Sequence, residues 1–94
     1  MVNALRIHPE DNVVVALTDL APGTILEWSG APPNQVVASR DAIPFGHKVA
    51  IVPIRKGQMV IKYGAPIGIA TTDIAPGDHV HIHNLRSVRG VIKS

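Results

Sequence analysis

The chain has 94 residues, 46% hydrophobic and 17% charged, which is enough for one small core and too apolar for a disordered tail. Nine Lys and Arg against seven Asp and Glu give a formal net charge of +2, and the basic residues are scattered, without the clustered stripe and stacking aromatics of a nucleic-acid binder. With no Cys, disulfides, thiolate catalysis and cysteine-ligated zinc or iron–sulfur clusters are excluded from the chain's own chemistry, and a metal must use His, carboxylate, carbonyl or water.

At the N-terminus Arg6, His8, Glu10 and Asp11 interrupt any apolar stretch of signal-peptide type. No apolar run approaches the ~18 residues of a membrane span. The expectation is one cytoplasmic domain covering residues 1–94, with no membrane and no nucleic-acid partner. Short β-branched runs follow at 13–17, 35–38, 48–53, 59–63, 67–71 and 79–83, each read as a strand. Gly and Pro between them would break a helical period within about two turns, and the only aromatics are Trp28, Phe45 and Tyr63. The fold class is therefore all-β, with an aliphatic core.

The clearest organisational signal is an internal repeat. Thr18-Asp19-Leu20-Ala21-Pro22-Gly23 recurs as Thr72-Asp73-Ile74-Ala75-Pro76-Gly77, and Ile54-Arg55-Lys56-Gly57 echoes it more weakly. Each copy reads as a corner in which an apolar anchor (Leu20, Ile54 or Ile74) pins the turn and Gly takes a positive backbone angle.

Three constellations could carry chemistry. In Gly77-Asp78-His79-Val80-His81-Ile82-His83-Asn84, strand alternation would put His79, His81 and His83 on one face and turn Val80 and Ile82 to the core. Imidazoles two residues apart on a strand suit a divalent metal or an acidic substrate; the plain alternative is a solvated outer face. His79, just after the turn, is the one expected to point to solvent, and Asn84 is either a ligand or substrate contact or a turn former. In Gly46-His47-Lys48, the imidazole and ammonium would suit a carboxylate or a proton transfer, although a surface His and Lys at a strand start are commonplace. In Ile61-Lys62-Tyr63-Gly64, Lys62 is an anion-binding cation or an edge-strand charge, and Tyr63 reads as a packing residue.

Together with Pro66-Ile67-Gly68 and the segment from Asp11 to Gly23, these motifs, in this order and with these gaps, resemble the N-terminal module of the altronate dehydratase and galactarate dehydratase family over about residues 7–86. The resemblance implies a compact β-clip of the SAF type, whose repeated corners it fits. It also implies membership in a group of lyases that remove water from hydroxylated sugar acids with a divalent metal, usually Fe(II) or Mn(II). In such proteins the module is fused to a larger catalytic domain or is a separate small subunit, as in the related sulfolactate sulfo-lyases, and a chain stopping at Ser94 resembles the latter. The implied function is that of a dehydratase small subunit, inactive without a large one, that shares its metal and active site. On that reading His47, His81 and His83 are catalytic, His81 and His83 are metal ligands, and Lys48, Lys62 and Asn84 hold the substrate. The alternatives are a non-catalytic binding or interaction module, a sulfo-lyase small subunit, or a self-associating domain for which only the high aliphatic content speaks.

Overall fold

Val13-Val14-Val15-Ala16 is uncharged and mostly β-branched, and it forms the inner strand β2 (Val13–Ala16) of the structure, a computed structural model that describes residues 1–87. β2 pairs with β1 (Ala4–Leu5) on one side and β3 (Lys48–Ala50) on the other, and β3 pairs with β6 (His79–Val80). A second sheet holds the hairpin β4 (Met59–Lys62) and β5 (Ala65–Ala70), with β7 (Leu85–Ser87) along β5. All pairings are antiparallel and the described residues contain no helix, as the all-β reading expected.

The first sheet is apolar on both faces because each face meets a core. Val14, Ala16 and Val49 pack with Leu20, Trp28 and Ile43, while Val13, Ala50 and Val80 pack with Ile54, Val60 and Ile74. A strand covered on both sides has no reason to alternate with polar residues, and β2 does not.

Among the described residues the corners number four, one more than the repeat revealed. Leu20, Ile43, Ile54 and Ile74 are all buried anchors, and each is followed three residues later by a glycine of positive φ. They work in two reciprocal pairs. Leu20 and Ile43 exchange both backbone hydrogen bonds, at 2.8 Å each, and Ile54 and Ile74 do the same at 2.9 and 2.7 Å. Each corner glycine N–H then donates to the carbonyl four residues before its partner's anchor: Gly23 to Ser39, Gly46 to Ala16, Gly57 to Ala70 and Gly77 to Ala50. The Asp of the near-verbatim repeat has a defined task here. The Asp19 and Asp73 carboxylates accept the backbone N–H of Phe45 and Lys56, in the opposite corner of each pair. Burying one Ile or Leu anchor contributes about 1.5–3 kcal/mol, so the four corners are major fixtures of the fold.

Three of the expected strands change. The run at 48–53 is a strand only over Lys48–Ala50, and the chain bends after it. Residues 35–38 form no strand: Ala38 makes an isolated bridge to Ile25, and Val36 is 72% exposed. Pro32 and Pro33 just before it break the approach, and Gln35 is held instead by its side chain, which donates to the Ile51 carbonyl. β6 ends at Val80, and a turn at 81–84 follows. β1 and β7 carry too little apolar periodicity, at two and three residues, to be read in advance.

The β4–β5 hairpin turns on Tyr63 and Gly64, whose φ values of 59° and 72° are both positive, the requirement of a two-residue type I′ turn. Beneath it lies the fully buried Asp11. Its carboxylate accepts the backbone N–H groups of His8 (3.0 Å), Tyr63 (3.2 Å) and Gly64 (2.8 Å).

Candidate functional site

Two corners deliver the histidines to one end of the first sheet. Gly46 and Gly77 each close a corner, and the chain leaves with His47 one residue after the first glycine and His79 two residues after the second. At Gly77 a side chain is also excluded sterically, because a Cβ would collide with the Ala38 carbonyl oxygen. β3 and β6 pair with Val49 opposite His79; two residues further along the same register, His47 lies opposite His81. Cross-strand neighbours on one face are the closest side-chain pairs of an antiparallel ladder, and the His47 and His81 rings stack with centroids 4.4 Å apart at 25°.

His79 completes the cluster. Its ring is 5.1 Å from that of His47 and 5.4 Å from that of His81, nearly parallel to the latter at 9°. His47 Nδ1 and His79 Nε2 are 2.9 Å apart, a hydrogen bond that requires one of the two nitrogens to carry a proton. One ligand atom from each of His47, His79 and His81 can be chosen so that all three lie within 4.8 Å of one another, a spacing that fits one divalent ion. His83 lies at the edge of the group: it is exposed, and its ring is 5.3 Å from His79 and tilted by 40°. The residue expected to face solvent, His79, is thus at the centre; of the two expected metal ligands, His81 is in the cluster and His83 is at the rim.

The reason is the turn. The chain bends after Val80, so Ile82 is 85% exposed instead of facing the core, which corrects the alternation drawn through residue 82. Asn84 makes this bend. Its Oδ1 accepts the His81 backbone N–H at 2.9 Å, its Nδ2 donates to the His79 carbonyl at 2.8 Å, and its own N–H donates to the His81 carbonyl at 3.1 Å. Buried and bonded through both ends of its amide, Asn84 acts as the turn former.

The charges around the cluster are one-sided. His79 is held below its ordinary pKa of 6.5 by burial and then by His47, His83 and His81, with Asp41 partly opposing. The Asp41 carboxylate lies 3.4 Å from the His79 backbone nitrogen. His81 is lowered too, by desolvation first and then by His47, Lys48 and His83. Both shifts favour neutral imidazole, the form that binds a metal or takes a proton. Lys48 is also lowered, first by burial and then by Lys62. Among the described residues neither lysine has a carboxylate partner, and the Lys62 ammonium lies over the Tyr63 ring, 4.8 Å from its centroid. Two ammonium groups that repel one another, with no carboxylate partner among the described residues, form a ready place for an anion.

The sequence reading missed Asp41 and the central position of His79. The signal for His79 was present in Ala42-Ile43-Pro44-Phe45-Gly46, the fourth corner. Once it is aligned with Asp73-Ile74-Ala75-Pro76-Gly77, His47 and His79 fall just after equivalent glycines.

Comparison with known proteins gives a consistent result. The family profile for the altronate/galactarate dehydratase SAF domain matches residues 2–88. An altronate dehydratase of Escherichia coli strain K12 is 52% identical over 83 residues, covering 88% of this chain and 16% of the relative. One of Bacillus subtilis strain 168 is 38% identical over 87 residues, 93% of this chain and 17% of the relative. The (2R)-sulfolactate sulfo-lyase subunit alpha of Chromohalobacter salexigens is 46% identical over 50 residues, 53% of each chain. The chain therefore spans about one sixth of the altronate dehydratases it matches, and its match covers about half of the sulfo-lyase subunit.

Proposed function

Since the chain belongs to the altronate/galactarate dehydratase SAF domain family, we propose that it supplies a histidine and lysine surface to the active site of a metal-dependent sugar-acid dehydratase in the cytoplasm, the rest of which comes from a larger catalytic chain or domain. The observation that carries this reading is the meeting of His47, His79 and His81, with Lys48 in the field of both His81 and Lys62 and, among the described residues, no carboxylate partner for either lysine. Small-molecule sites commonly lie between domains.

Dehydration removes the proton α to a carboxylate and the hydroxyl from the neighbouring carbon, which leaves as water; the resulting enol tautomerises to a 2-keto acid. The reaction needs a base, a way to make hydroxide a good leaving group, and cations against the charge that builds on the carboxylate. Lys48 and Lys62 hold the carboxylate; its arrival relieves their mutual repulsion and selects acids over neutral sugars. The three clustered imidazoles fit a divalent metal, Fe(II) or Mn(II) in this reading, which when bound supplies Lewis acidity at the leaving hydroxyl. His83, exposed at the rim, is the proton carrier to solvent. Asn84 keeps the imidazoles in place by fixing the turn, which replaces the direct substrate contact first expected of it. Ile82, presented on this ordered turn between two histidines, seats the module against the larger chain.

Mixing this chain with the large chain and assaying altronate and galactarate tests the reading. Turnover should need both chains and should disappear in His81→Ala while the complex still forms. Full dehydration by the large chain alone would refute it, and loss of the complex in His81→Ala would favour a packing role. A second reading, a subunit that helps eliminate sulfite from sulfolactate, has one specific observation behind it: a sulfo-lyase alpha subunit is 46% identical to this chain over 50 residues. Sulfolactate in the same assay separates the two.

A further inference from the structure

Tyr63 occupies a backbone position that suits Asn or Gly far better. Both residues of a type I′ turn have positive φ, where the Cβ of an ordinary L residue crowds the neighbouring carbonyl. At 59°, Tyr63 is the one non-glycine residue with positive φ among the described residues. Its ring brings no compensating burial: it is 63% exposed, which corrects its reading as a packing residue. The conformation is imposed from below, where the buried Asp11 carboxylate takes the Tyr63 and Gly64 N–H groups, and the His8 ring lies so close under Gly64 that a Cβ there would clash with it. The turn therefore holds an exposed phenol in a strained position, with its ring against Lys62, which is itself in the field of Lys48. Backbone strain maintained without a packing return is a mark of a working residue.

We infer that Tyr63 is a substrate-binding residue, its phenol hydroxyl hydrogen-bonding a hydroxyl of the sugar acid whose carboxylate rests on Lys48 and Lys62. This rests on the dehydratase reading and adds to it the residue that recognises the hydroxylated chain of the substrate.

The test is Tyr63→Asn and Tyr63→Phe in the full chain, assembled with its large partner. Tyr63→Asn should melt no lower than wild type, and about 2–5 °C higher as the strain is relieved. Its kcat/KM for altronate or galactarate should fall about tenfold or more, mainly through KM. Tyr63→Phe should keep the fold and show a similar loss. A melting point several degrees lower in Tyr63→Asn would make the ring a structural element and overturn the inference, as would unchanged kcat/KM in both variants. A wild-type complex inactive on both acids overturns the dehydratase reading and this inference with it, whereas an active complex indifferent to position 63 overturns this inference alone.

Discussion

Replacing Asp11 by Ala should be among the most damaging single changes to this fold, and the structure allows the cost to be worked out. Its carboxylate is the acceptor for three backbone N–H groups, at 2.8, 3.0 and 3.2 Å, from two segments more than 50 residues apart. A buried donor left without an acceptor costs about 1–3 kcal/mol. Tyr63 and Gly64 lie at the surface, where water recovers part of the loss, so the sum is about 2–4 kcal/mol. A domain of this length has roughly 5–14 kcal/mol of stability in all, and the change lowers the melting temperature by roughly 10–25 °C. Asp11→Asn keeps one acceptor oxygen and should lose about half as much. Arg6 grips the Asp11 main-chain carbonyl at 2.8 and 3.1 Å, not its carboxylate, so that contact survives both substitutions. Thermal melts by circular dichroism on wild type and the two variants measure this. An Asp11→Ala melting point within about 3 °C of wild type would refute the claim that the carboxylate holds the hairpin down.

Gly77→Ala should cost at least about 2 kcal/mol, because it combines a φ of 93° with a clash against the Ala38 backbone, whereas Gly23→Ala, with open space around it, should cost about 1 kcal/mol; urea unfolding of the two compares them directly. Ile82→Ser should change stability by less than about 0.5 kcal/mol, the side chain being in water. It should nevertheless weaken the complex with the large chain about tenfold or more by calorimetric titration, and an unchanged affinity would remove Ile82 from the interface. His79 and His81 are lowered from 6.5 in the folded chain, so between their lowered values and 6.5 the unfolded chain binds more protons. Their contribution is fully present above pH 6.5 and is lost as the pH falls through the lowered values. Melts from pH 8 to pH 5 should show this decline, and it should be shallower in the His79→Ala, His81→Ala double variant.

The sequence made the corners and the all-β class readable because both are local. An apolar anchor with a glycine three residues on is a complete instruction for a turn, and runs such as Val13-Val14-Val15 have few alternatives to a strand. What it left hidden depends on distant contacts. By alternation alone the strand through His79 continues to residue 83, but the Asn84 amide closes a turn on the His79 carbonyl and the His81 N–H, which leaves His83 at the rim and Ile82 in water. Asp11 resembles any loop carboxylate until a hairpin 52 residues away is seen resting on it. The partnership of His47 with His79 and His81 depends on the β3–β6 register, which no spacing within either segment states.

The central claim is that three imidazoles from two corners form one metal site. Anaerobic titration of the full chain with Mn(II) and Fe(II), alone and assembled with the large chain, tests it most directly when repeated on His47→Ala, His79→Ala, His81→Ala and His83→Ala. One equivalent should bind to the assembled wild type, each of the first three substitutions should weaken binding about tenfold or more, and His83→Ala should leave it nearly unchanged. Metal binding to the assembled enzyme that is indifferent to His47, His79 and His81 would contradict it.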